Sequence, residues 1–184
     1  ASMNYGVLAW FEGRFAKVQP TLYTRKKPNG LALSDYRIMP DYEGKALKRD
    51  DLEVAPDFVD SECLTRFTDR AIDWVKQQAA GDGKAKPFFL YLPYTSPHKP
   101  VIPLEQFRGK SKAGAYGDFM METDWHIGRL LDELDRLKLT DDTLVFLSSD
   151  NGPETTWKQR IELYDHHSAG PYREGKRSIY EGGH

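Results

Sequence analysis

The 184 residues contain a single cysteine, Cys63. No intramolecular disulfide can form, and no cysteine-based zinc site can be assembled. No apolar run approaches the roughly 20 residues that cross a bilayer as a helix. The opening Ala1-Ser2-Met3-Asn4-Tyr5 lacks the basic, apolar and small-residue regions of a secretory leader. There is no excess of either charge: 26 Lys and Arg stand against 28 Asp and Glu, a net −2. That balance argues against a nucleic-acid or polybasic membrane surface. No internal repeat and no low-complexity tract is present. Hydrophobic residues at 39% and charged residues at 29% match an ordinary globular protein. The length suits one domain with its own core. An α/β enzyme or binding domain remains.

Residues 1–58 carry the weakest signal. Tyr5–Phe11 and Val18–Tyr23 read as short strands, Lys26–Gly30 as a turn, and Pro40, Gly44 and Pro56 as breakers. From Asp60 the pattern sharpens. Asp60 or Ser61 can cap a helix whose apolar side is Leu64, Phe67, Ala71, Trp74 and Val75, ending at the Gly-rich 79–83. Pro87–Leu92 is a continuous apolar run that predicts a strand covered on both faces. The proline-rich 93–103 must be an irregular loop. A second helix is expected over 116–138, with Met120, Ile127, Leu131, Leu134 and Leu137 as its stripe. Thr143–Leu147 reads as a second buried strand. Strand, long helix and strand in that order predict a right-handed crossover in a parallel sheet.

Ligands of parallel α/β sheets sit beyond the carboxyl ends of the strands. The first strand leads to Pro97-His98-Lys99-Pro100 and the second to Asp150-Asn151-Gly152-Pro153-Glu154. Asp150 and Asn151 offer one charged and one neutral oxygen, which suits a hard cation such as calcium or magnesium. The same tripeptide is also a common turn, and two adjacent ligands cannot fill six or more positions. His98 could act as a general acid or donate to an anion, or be a plain surface histidine. Lys176, in Arg173–Arg177 close to Gly182-Gly183, could clamp an anion, though most basic clusters are solvated loops. The adjacent His166 and His167 read as loop residues and His126 as surface. Asp124 either bonds a loop backbone, the reading favoured by Gly128 as a mark of close packing on that helix face, or is a solvated helix charge.

Together these segments resemble the sulfatase (arylsulfatase) family of the alkaline-phosphatase-like superfamily. Pro87–Pro100 is similar to the family's strand and Pro-His-x-Pro loop. Tyr116-Gly117-Asp118, with Asp124, Gly128, Leu131 and Leu134, resembles the helix that follows. Leu139–Gly152 is the strongest match, and Arg173–His184 resembles the second family signature. The likeness covers about residues 60–184, in order.

The resemblance implies an alkaline-phosphatase-like α/β sandwich, with a mainly parallel sheet flanked by helices. It implies calcium-dependent hydrolysis of a sulfate ester on a sulfated small molecule or glycan. Asp150 and Asn151 would be two ligands of a divalent ion, usually calcium, with magnesium the alternative. His98 and Lys176 would contact the sulfate, His98 also protonating the leaving oxygen. A metal, a lysine and a histidine would offset charge developing in the transition state. Related enzymes are periplasmic, secreted or lysosomal. Two expected parts are missing. No Cys-x-Pro-Ser-Arg or serine equivalent, whose first residue becomes the formylglycine nucleophile, occurs here; Cys63-Leu64-Thr65-Arg66 lacks the proline. Nor is there the N-terminal Asp-Asp pair after a buried strand; Asp50-Asp51 is not assigned to it. The expectation is therefore an incomplete catalytic domain over 1–184, inactive alone, that needs the remainder of its own domain. The alternatives are a phosphodiesterase or phosphonate hydrolase of the same superfamily, and a non-catalytic module that binds sulfated glycans.

Overall fold

The computed structural model describes residues 7–25, 38–40, 51–80, 86–154 and 156–184; Tyr5, the whole Lys26–Gly30 turn, Gly44 and Gly81–Gly83 lie outside them. Near the N-terminus a tight hairpin joins β1 (Phe11–Glu12) to β2 (Phe15–Ala16), with Gly13 in the left-handed region at its turn. A three-stranded antiparallel sheet follows. β3 (Leu22–Arg25) lies between β4 (Ile38–Pro40) and β5 (Asp51–Val54), with Leu22 opposite both Pro40 and Val54. Leu8 adds one parallel bridge to Val54, accepting from Ala55 N–H at 2.8 Å. The Tyr5–Phe11 run is therefore not one buried strand: Leu8 and Trp10 are buried, while Phe11 is exposed.

Leu8, Trp10, Val54 and Cys63 form a small core, packed by Leu22, Leu52, Phe58 and Phe67. Trp10 anchors it. Its indole N–H donates to the Asp57 carbonyl at 3.1 Å, its ring lies 4.7 Å from Phe58, and the Arg66 guanidinium covers it at 4.5 Å.

Helix α1 (Cys63–Ala79) begins after a 3₁₀ turn over Asp60–Glu62, in which Asp60 Oδ1 accepts from Ser61 N–H. It buries Cys63, Leu64, Thr68, Ala71, Ile72 and Val75, close to the expected stripe. Helix α2 (Gly114–Arg136) packs against it, tied by Arg129 to Asp69 at 2.6 Å. Lys138 in the left-handed region closes α2, with Leu139 N–H reaching back to the Leu134 carbonyl. A third helix, α3 (Trp157–Tyr164), was not legible as a helix because it buries Arg160 alone.

The buried side of α2 differs from expectation. Of the proposed apolar stripe, Leu134 is buried, while Met120 and Leu131 are exposed. The covered positions are Gly117, Asp118, Phe119, Glu122, Thr123, His126 and Leu134. His126, expected at the surface, is fully buried. Asp124 is exposed, and a Cβ at Gly128 would meet nothing within 4 Å, so close packing there is not found. The cause is the irregular 94–111 segment, which lies on α2 and whose backbone N–H groups need acceptors.

The hydrogen-bonded parallel sheet is also absent among the described residues, where both sheets are antiparallel. Segments 87–92 and 143–147 join no sheet among the described residues. In the first, Phe88 packs edge-on against Trp74 of α1 at 5.5 Å, whereas Phe89 is 86% exposed. In the second, Leu144, Val145, Phe146 and Leu147 are all exposed. Strand-forming sequence is present at both places, and the neighbours that would bury it are not among the described residues.

Candidate functional site

Two loop assemblies hold the residues singled out from the sequence. In the first, Asp150-Asn151-Gly152 runs alongside the C-terminal segment. Gly152 N–H donates to the Gly183 carbonyl at 3.1 Å, and Lys176 N–H to the Pro153 carbonyl at 2.8 Å. Close backbone approach explains the glycines. A Cβ on Gly152 would lie 1.6 Å from the Gly182 carbonyl oxygen, and one on Gly182 would lie 2.4 Å from the carbonyl oxygens of Arg173 and Glu174. A side chain fits at neither place. Asp-Asn-Gly is therefore more than a turn: its glycine is the contact on which the Lys176 loop is seated.

That loop is closed on itself and largely neutralised. Arg173 pairs with Glu181 at 3.3 Å and stacks on Tyr180 at 4.0 Å, and Arg177 pairs with Glu154. Hydrogen bonding from Arg173 holds the Glu181 carboxyl below the usual carboxylate range. Of the three cations in Arg173–Arg177, Lys176 has no acidic partner among the described residues. It is half-buried. The arrangement leaves one cation of the loop without an acidic partner, on a backbone held against Pro153.

The second assembly carries His98. Its N–H closes a turn onto the Thr95 carbonyl at 3.2 Å, and its Nδ1 lies 2.7 Å from the Lys99 carbonyl oxygen. A carbonyl can only accept, so Nδ1 carries the hydrogen and Nε2 is the nitrogen that gains or loses a proton.

The His98 loop rests on α2, and α3, whose Trp157 the Lys176 loop meets at Gly175, reaches the start of the same helix. Near its start, the Arg160 guanidinium of α3 lies 3.8 Å over the Tyr116 ring, and Gly114 makes room for the Tyr164 ring. Two turns on, about 10 Å at 1.5 Å per residue, Glu122 and Thr123 bond the His98 loop. Arg160 is buried, donating to Ser168 at 2.8 Å and Thr156 at 3.0 Å, and burial lowers its pKa. His166 packs on Tyr116 at 6.2 Å and His167 lies 3.7 Å from Asp165, so the adjacent pair does diverge.

Asp118, Glu122, Thr123 and Arg160 were missed in the sequence reading. A signal existed for two of them: Asp118, Glu122 and His126 recur every four residues, which places them on one face of a helix. Asp118 also has the role expected of Asp124, accepting from Gly109 and Ser111 N–H at 2.8 and 2.7 Å.

Cys63 is no nucleophile. It is buried at the start of α1, and burial pushes its thiol up to about 12. Asp150 and Asn151 have the chemistry of two ligands for a hard cation. Among the described residues, however, no group of three or more His, Cys, Asp or Glu could hold a metal. No helix among the described residues is long and apolar enough to cross a membrane.

A family model described as Sulfatase matches residues 11–184. The chain belongs to the sulfatase family. It is 43% identical over 104 residues to an N-acetylgalactosamine-6-O-sulfatase of Bacteroides thetaiotaomicron, covering 54% of this chain and 20% of that protein. It is 37% identical over 117 residues to the human N-acetylgalactosamine-6-sulfatase, covering 64% and 21%. With human steryl-sulfatase it shares 38% identity over 97 residues, covering 53% and 17%. The chain thus spans about a fifth of the length of these relatives. A solved structure from work on the metabolism of multiple glycosaminoglycans by Bacteroides thetaiotaomicron is similar at a TM-score of 0.59 and 30% identity, covering 73% of this chain and 28% of that one. This likeness assigns the sulfatase chain to the alkaline-phosphatase-like α/β fold.

Proposed function

We propose that the protein to which this chain contributes hydrolyses a sulfate ester. The observation that supports the reading is Lys176: it is left without an acidic partner among the described residues, on a loop whose backbone is held against Gly152 and Pro153, next in sequence to Asp150-Asn151. Lys176 binds the sulfate oxygens. His98, with Nδ1 committed to a carbonyl, uses Nε2 to hold the proton that passes to the leaving oxygen. Asp150 and Asn151 supply two ligands to a calcium ion, or magnesium in its place. When bound, the metal would stabilise charge on the ester, and a formylglycine outside these residues would be the nucleophile. The names of the N-acetylgalactosamine-6-sulfatase relatives favour a sulfated glycan as substrate, acted on in a periplasmic, secreted or lysosomal setting.

Residues 1–184 would then be an incomplete catalytic domain, inactive without its remainder. Segments 87–92 and 143–147 become parallel strands once that remainder covers Phe89 and Phe146. The test is turnover by the full-length protein. Lys176→Ala and His98→Ala should each lower sulfate-ester hydrolysis by at least about 10²-fold, within the range of electrostatic and general-acid contributions, with little change in melting temperature. Asp150→Ala should weaken calcium binding. Proportionate loss of fold and activity would make the first two residues structural. Faster turnover of phosphate than sulfate esters would favour a phosphodiesterase or phosphonate hydrolase, and tight sulfated-glycan binding without turnover would favour a binding module.

A further inference from the structure

The covered face of α2 is polar where a helix of this length usually packs apolar groups. Its acceptors all meet one segment. Asp118 takes the N–H groups of Gly109 and Ser111, and Glu122 Oε2 takes that of Leu104 at 2.7 Å. The Thr123 hydroxyl lies 2.8 Å from that of Ser96. From α1, fully buried Thr68 has its hydroxyl 2.7 Å from the Tyr94 phenol. Positions 94, 96, 104, 109 and 111 are thereby stitched to two helices, and His98 lies between the second and third of them.

Ser96 is the anchored side chain nearest to His98, one residue into the turn that His98 N–H closes on Thr95. Thr123 fixes it from a buried position. The Thr123 hydroxyl shares its hydrogen between the Phe119 carbonyl at 2.7 Å and Ser96 Oγ, which accepts from it at 2.8 Å. The contact ties the 95–98 turn to α2 through the Thr123 oxygen. Valine has nearly the same shape as threonine but lacks that oxygen.

We propose that Thr123 is a positioning residue for His98: through Ser96 it fixes the 95–98 turn, and with it the imidazole that delivers the proton to the leaving oxygen. The inference rests on the proposed role of His98 and deepens it. A misplacement of the order of 1 Å in a reacting group can cost about 10²-fold, and general acid catalysis contributes about 10²–10⁴-fold. Loss of this anchor should remove part of that contribution.

The test uses the full-length protein, with two aryl sulfates as probes. Phenyl sulfate has a poor leaving group that needs the proton; 4-nitrophenyl sulfate has a good one that needs it little. Thr123→Val should lower kcat for phenyl sulfate by about tenfold, a fraction of the general-acid contribution, and lower kcat for 4-nitrophenyl sulfate much less. Thr123→Ser should restore it. In a His98→Ala background, Thr123→Val should cost nothing further, because both changes remove the same step. Equal losses on both esters, or a loss that adds to that of His98→Ala, would overturn the inference while leaving His98 as the acid. An unchanged phenyl sulfate rate in His98→Ala would overturn the proton-donor reading and the inference with it. If Thr123→Val fails to fold, Ser96→Ala breaks the same contact from the loop and is read by the same criteria.

Discussion

Replacing Gly152 by alanine tests the central contact of the candidate site. The new methyl would stand 1.6 Å from the Gly182 carbonyl oxygen, with the Gly182 carbonyl carbon at 2.6 Å and Gly183 Cα at 3.2 Å. Real Cβ contacts essentially never fall below 3.0 Å, so the two segments must part by about 1.4 Å, the difference between 3.0 and 1.6 Å. All three obstructing atoms are backbone, and no side chain can rotate away. Overpacking of this kind costs about 1–3 kcal/mol, and the Gly152–Gly183 hydrogen bond contributes about 1 kcal/mol more. Function should suffer more than stability, because the displaced segment carries Lys176. A shift of about 1 Å at a charged positioning group costs on the order of 10²-fold in rate. The assay is kcat/KM for an aryl sulfate in the full-length protein, beside the denaturation midpoint. Gly128→Ala is the matched control: a Cβ there meets nothing within 4 Å in mid-helix, so it should stabilise by about 0.5–1 kcal/mol and leave turnover unchanged. A Gly152→Ala enzyme with wild-type turnover would show that the Gly152–Gly182 contact does not set the site.

Three further outcomes follow from the same coordinates. Cys63 should resist thiol reagents at neutral pH in the folded protein, and Cys63→Ser should retain activity; its raised pKa favours the folded state below about pH 9, with that contribution lost as pH climbs toward about 12. Rapid labelling of the native protein would contradict its burial. The Glu181 carboxyl titrates lower in the folded protein, so the Arg173 pair stabilises the loop above the ordinary carboxylate range and stops doing so as pH falls through the folded value. Melting curves of wild type and Glu181→Gln should therefore differ at pH 7 and converge in acid; a constant gap would remove the pair from the loop's stability. The isolated 184 residues should bind an apolar dye through Phe89, Leu144, Phe146 and Leu147, and Phe89→Ser with Phe146→Ser should reduce the signal. A monomeric chain with no dye binding would count against the incomplete-domain reading.

The sequence by itself determined the two long helices. Each has enough periodic apolar residues to bury a face, and local spacing is all a helix needs to be visible. It also pointed to His98, Asp150, Asn151 and Lys176, because proline-bound histidine, paired oxygen donors and clustered cations are chemistry written in residue type. Tertiary structure decided what local pattern cannot carry. Whether 87–92 and 143–147 are buried depends on neighbours, not on their own alternation, and here Phe89, Tyr91 and Phe146 are left in solvent. Which side of α2 is covered was set by α1 and by a loop whose N–H groups needed carboxylates, so Asp118 and Glu122 went in against the loop and His126 beside Thr65, while Met120 and Leu131 stayed out. Which of three clustered cations stays available was likewise not a sequence property. It followed from where Glu154 and Glu181 lie once Gly152 and Gly182 let two backbones touch.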